Sequence, residues 1–126
     1  MTEILAIAFG GAIGAVARYL LGQGANLWFG TDFPYGILLI NIIGSLLMGI
    51  LFVLLVEKSI YPVIWRSTLL VGFLGAFTTF STFSLQTLSL IEAGRLGAAA
   101  TYVLASVILC LIAVSIGIFA TRELTS

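Results

Sequence analysis

Hydrophobic positions in this chain run almost unbroken in four long blocks, separated by short clusters of charged, glycine and proline residues. Such blocks read as membrane-spanning helices, because about 20 apolar residues at 1.5 Å rise each match the hydrocarbon thickness of a bilayer. The first block covers about residues 4–21 and holds Gly10, Gly11 and Gly14, with Arg18 near its end. Residues 22–34, with Gly24, Asn26, Gly30 and Asp32, predict a loop that carries an interfacial Trp28. The second block, about residues 35–56, contains one amide, Asn41, and stops at Glu57 and Lys58. The third covers about residues 67–91 and closes at Glu92, Gly94 and Arg95, and the fourth covers about residues 96–120, before Arg122 and Glu123. Gly10 with Gly14, and Ser45 with Gly49, repeat the small-xxx-small spacing that lets membrane helices approach closely. The expected fold is therefore all-α: one integral membrane domain over residues 1–126 with four spans.

Composition agrees. Of 126 residues, 61% are hydrophobic and 8% charged, with a mean hydropathy of +1.25, whereas charged residues make up about a quarter of a soluble domain. An acidic start, Thr2 and Glu3, argues against a cleaved signal peptide, so the first block is expected to stay as a span. The chain has no histidine and a single cysteine, Cys110, which excludes histidine acid–base chemistry, zinc sites of the usual kind and internal disulfides. Cys110 itself reads as a small apolar packing residue. Every acidic residue (Glu3, Asp32, Glu57, Glu92, Glu123) falls at a block edge or in a loop. No carboxylate is thus placed for an enzyme or for proton-coupled transport.

Four spans put both termini and the middle loop on one side of the membrane. That side holds Lys58, Arg66 and Arg122, and the other holds Arg18 and Arg95. So small a bias hardly selects an orientation by the positive-inside rule, and an antiparallel dimer of oppositely inserted copies becomes feasible. The alternative is one orientation chosen by effects outside the charge count.

The third block is unlike the others. Thr78, Thr79, Ser81, Thr82 and Ser84 crowd a stretch that also carries Phe73, Phe77, Phe80 and Phe83 at helical spacing, predicting one ring stripe beside one hydroxyl stripe. Hydroxyls at membrane depth either bond back to their own helix or meet a ligand. Gly72, Gly75 and Ala76 immediately before them are the composition of an interrupted span whose freed carbonyls could hold a small cation. Asn41 and the hydroxyls are neutral donors, and ring edges carry partial positive charge, a combination suited to passing an anion without trapping it. These residues point to ion handling and leave the species open. Arg18 fits either a snorkelling side chain or an electropositive vestibule.

At these positions the chain resembles a known family. The run from Gly72 to Ser84 is similar to the third-span signature of the small fluoride channels called Fluc or CrcB proteins. Gly10, Gly11, Gly14, Arg18 and Tyr19 resemble their first span, and Gly36, Asn41 and Gly44 their second. The resemblance implies a dual-topology antiparallel homodimer with a broken third helix, conducting fluoride passively out of the cytoplasm across a bacterial inner membrane. It implies pores lined by Asn41, Phe80 and Phe83, a hydroxyl track at Ser81, Thr82 and Ser84, and a pore tyrosine at Tyr102. It further implies a structural sodium ion held by the backbone carbonyls of Gly75 and Thr78. Gln86 stands where some relatives have glutamate. Two other readings share the length and charge balance. A small multidrug exporter needs a glutamate inside the first span, where only Glu3 at the edge is present, and a holin-like or assembly subunit leaves the Phe and hydroxyl pattern without purpose.

Overall fold

The computed structural model describes residues 1–126 and is helical throughout. Helix α1 covers Thr2–Phe29, α2 Tyr35–Phe52, α3 Val63–Arg66, α4 Gly75–Phe77, α5 Phe80–Glu92 and α6 Leu96–Leu124. Wider π-helical turns prolong α2 over Val53–Glu57 and join α3 to α4 over Ser67–Leu74. Together these form four helical stretches long and apolar enough to cross a membrane: Thr2–Phe29, Tyr35–Glu57, Val63–Glu92 and Leu96–Leu124. Only 23 of the 126 residues are buried, while Phe9, Val16, Leu104, Ile108 and Phe119 point outward. Lipid, not a protein interior, is the solvent for most of this apolar surface.

Helix α1 continues through residues 22–29, where the sequence predicts a loop. Its end is set by Gly30, which turns into the left-handed region at φ 77° while its N–H donates back to the Asn26 carbonyl. Gln23, Ala25 and Leu27 are good helix formers, and they carry Gly24 and Asn26 with them. The true connection is residues 30–34. Arg18 consequently sits well inside α1, with about 16 Å of helix beyond it.

The glycines act where the sequence puts them. A Cβ on Gly10 would lie 2.2 Å from the Thr68 carbonyl oxygen, and one on Gly14 would lie 2.2 Å from that of Phe73. Helix α1 therefore rests directly on the backbone of the π-helical segment of the third span. Ends are tied by polar contacts: Ser67 Oγ donates to Glu3 Oε1 at 2.8 Å, Arg122 Nε donates to Glu57 Oε1 at 2.9 Å, and Arg95 donates to the Asp32 carbonyl. The Arg122 to Glu57 pair brings the end of α6 beside the end of α2, as an even number of spans demands. Two small cores form. Ile40, Leu74 and Phe77 make one, and Leu38, Phe83, Leu90, Ala99 and Tyr102 the other. Phe77 and Phe83 anchor opposite ends of the stretch between them.

Candidate functional site: a cavity at the third span

Thr78 (φ −84°, ψ 158°) and Thr79 (φ −153°, ψ 121°) are extended, between α4 and α5. The hydrogen bonds show why. Thr78 closes α4, its N–H and Oγ1 both donating to the Leu74 carbonyl at 3.1 and 2.9 Å. In a continuous helix the next donor, the Thr79 N–H, would go to the Gly75 carbonyl. It goes to Asn41 Oδ1 at 2.9 Å, and Asn41 Nδ2 donates to the Thr79 carbonyl at 3.1 Å. The Thr82 N–H likewise donates to Thr79 Oγ1 at 3.2 Å, an N-cap for α5, where a helix would have used the Thr78 carbonyl. Gly75 and Thr78 thus both keep a carbonyl whose helical donor has been drawn elsewhere. Gly75 itself is helical, at φ −59° and ψ −36°, so the extended residues lie later than the glycine that predicted them.

Helix α2 seats this stretch at a second point. A Cβ on Gly44 would fall 2.2 Å from Thr78 Cγ2, so only glycine admits the threonine methyl. Asn41 and Gly44 lie three residues apart, on one face of α2.

Beside the extended residues lies a cavity of about 440 Å³, lined by Asn41, Thr78, Thr79, Phe80, Phe83 and Ser106 among others, none of them charged. The Phe80 and Phe83 ring centroids are 5.4 Å apart and tilted by 47°. Phe83 is 9% exposed and rests on Tyr102, whereas Phe80 is 77% exposed. Ser106 Oγ is buried without a hydrogen-bond partner, so the cavity wall holds a hydroxyl that a ligand or water must satisfy.

The sequence-predicted residues divide. Asn41, Thr78, Phe80 and Phe83 meet at the cavity. Ser81 and Thr82 gather around the Thr79 hydroxyl, at 3.3 and 3.2 Å, while Ser84 bonds back to the Phe80 carbonyl at 3.0 Å. Tyr102 is fully buried behind Phe83, its hydroxyl donating to Gln86 Oε1 at 2.7 Å. Arg18 is half-buried on α1, away from the cavity lining. The single ring stripe is split, because the extended residues separate Phe73 stacked on Phe77 at 5.6 Å from the Phe80 and Phe83 pair. Cys110, expected as packing, is part of the cavity wall with Met48 and Ser45. Thr79 and Ser106 stand out in the sequence only as neutral polar groups within the spans and were not among the candidate site residues. A threonine just before a helix start is an N-cap signal that was usable for Thr79, whereas Ser106 was visible only as one hydroxyl in an apolar span.

Known proteins resemble this chain over nearly its whole length. A protein of Methylococcus capsulatus named fluoride-specific ion channel FluC is 52% identical over 122 residues, 97% of this chain. The chain spans 54% of that relative's length, about half. Proteins of the same name from Magnetococcus marinus and Geobacter sulfurreducens are 47% and 48% identical, over 95% and 98% of this chain and 98% and 100% of theirs. These relatives are bacterial channels, not enzymes, and with four candidate spans the chain is a multi-pass protein of a bacterial plasma membrane. Residues 5–118 match the family described as CrcB-like protein, Camphor Resistance (CrcB), and the chain belongs to that family.

Proposed function

We propose that this chain forms a passive, fluoride-selective channel that lets fluoride leave the cytoplasm, working as an antiparallel homodimer of dual topology. The observation that carries the reading is the uncharged cavity at the extended residues, lined by an amide, hydroxyls and two phenyl rings with no charged residue. Such a wall can replace part of an anion's hydration without holding the ion too tightly to release. The names of the relatives supply the species. Asn41, Phe80 and Phe83 are the pore lining, with Ser106 as a further donor. The hydroxyls of Ser81, Thr82 and Ser84 continue it as a polar track toward Tyr102, and Arg18 attracts anions to a vestibule.

A second chain is supported by Phe80, a ring left 77% exposed in a single copy beside the uncharged cavity. The Gly75 and Thr78 carbonyls fit a sodium ion at the centre of that dimer, since they are neutral hard oxygens relieved of their helical donors. When bound, the ion would supply positive charge that holds the two interrupted spans together.

The test is ion efflux from liposomes holding the purified protein, with a potassium ionophore to carry the counter-charge. Fluoride release without chloride release is the expected outcome. Proton-coupled release of an organic cation, or fluoride release no faster than from empty liposomes, overturns the reading.

A further inference from the structure

Asn41 does two things at once, and the Thr79 main chain is the reason. A side-chain amide has an acceptor oxygen and two N–H donors, and nothing in its shape distinguishes the two ends. Left to rotate in a neutral cavity, it could offer oxygen to a cation as readily as N–H to an anion. Here the oxygen accepts the Thr79 N–H at 2.9 Å and one Nδ2 hydrogen is given to the Thr79 carbonyl at 3.1 Å. Turning the amide over would set N–H against N–H and oxygen against oxygen, so the pair of bonds fixes its orientation. The pair leaves one Nδ2 hydrogen and one Oδ1 lone pair unused, at fixed positions, on a residue that lines the cavity.

We propose that the Thr79 main chain is an orientation clamp for Asn41, locking the amide in one direction so that its free Nδ2 N–H is held in place for an anion in the cavity. The clamp works only because Thr79 is extended: in a helix its N–H would be spent on Gly75. Extension and amide orientation are therefore one device. Gly44, admitting the Thr78 methyl one turn along α2, sets the distance between α2 and the third span at which it closes. Anion preference at this wall thus depends on a backbone group that no substitution at Thr79 other than proline removes. The functional half of this inference rests on the channel reading above; the geometric half does not.

The experiment is amide hydrogen exchange of threonine-labelled full-length protein in nanodiscs, read at Thr79 by NMR, with fluoride efflux measured on the same preparations. Asn41→Leu keeps the volume and removes both bonds, and Thr79 exchange is expected to rise about tenfold, the worth of one net hydrogen bond. Asn41→Asp keeps the acceptor for the Thr79 N–H and loses the donors, so Thr79 stays protected while fluoride efflux is lost. Equal Thr79 exchange in the wild-type protein and Asn41→Leu overturns the clamp. So does fast exchange in Asn41→Asp, which would mean that Asn41 only fills space. Efflux retained in Asn41→Asp would show that the presented N–H is not what the anion meets. A wild-type protein that protects Thr79 but releases no fluoride would sink the channel reading while leaving the clamp standing.

Discussion

At the residue scale, Phe80 and Phe83 face one cavity from unequal footings. Phe83, 9% exposed, is held by Tyr102 with ring centroids 5.1 Å apart, and Tyr102 is held in turn by Gln86. Phe80 has Phe83 on one side and is 77% exposed. Replacing each by isoleucine separates packing from conduction. Phe83→Ile is expected to destabilise the protein by about 1–3 kcal/mol, as misfit side chains in packed sites do. Phe80→Ile should stay within about 0.5 kcal/mol of wild type in the monomer. Both should lower fluoride efflux about tenfold, because isoleucine offers no polarised ring edge. Unfolding titrations and liposome efflux read the two effects, and wild-type efflux in both variants would remove the rings from the pore. Asn41 was legible in the sequence because an amide is out of place in a lipid-facing span, and Phe80 because it falls at helical spacing with Phe77 and Phe83. Thr79 was not, since its contribution is a backbone N–H whose partner lies 38 residues away. Ser106 was visible only as an in-span hydroxyl and Cys110 only as a packing residue, because no pattern on their helix marks the face that meets the cavity.

At the scale of elements, α2 shapes the third span more than the third span's own glycines do. Gly75 stays helical, whereas Asn41 and Gly44 of α2 hold Thr79 and Thr78 in place. A methyl added by Gly44→Ala meets Thr78 Cγ2 at 2.2 Å, and Thr78 cannot easily turn away because its hydroxyl donates to the Leu74 carbonyl at 2.9 Å. The expected cost is about 1–3 kcal/mol, the usual range for overpacking. Thr78→Ser keeps the hydroxyl and deletes that methyl, so it should recover at least half of the loss in the Gly44→Ala background while changing little by itself. A double-mutant cycle of unfolding free energies measures the coupling, and additive losses would mean that Gly44 matters for some reason other than Thr78. This dependence on a neighbouring helix explains what the sequence could show about the elements. Four apolar runs and the glycine spacing on α1 follow from local pattern and were readable. The end of α1 at Gly30 and the extended pair at 78 and 79 depend on one φ angle and one tertiary contact, which periodicity does not encode.

At the scale of the whole molecule, the open matter is how many ways up the chain inserts. Lys58, Arg66 and Arg122 belong to the side with the termini, and Arg95 with Arg18 to the other. Arg122 is paired with Glu57, and Arg66 Nη2 turns inward to the Leu55 carbonyl at 2.9 Å, while Arg18 lies within α1 rather than in a loop. A chain with so little charge asymmetry should insert both ways, which an antiparallel pair requires. A reporter fused to the C-terminus is accordingly expected on both sides of the membrane in comparable amounts. The connection at residues 30–34 is short enough for the rule to apply, so Thr31→Lys with Asp32→Lys should draw that loop to the cytoplasm and leave one orientation dominant. The Arg95 contact to Asp32 uses the main-chain carbonyl and survives the change. Efflux should then fall with the minority orientation, and co-expression with a copy carrying extra lysines in the loop after Glu57 should restore it, because the two variants supply opposite halves of a dimer. A reporter confined to one side in the unaltered protein would exclude the antiparallel assembly, and full efflux from a single fixed orientation would place the conducting unit within a parallel arrangement.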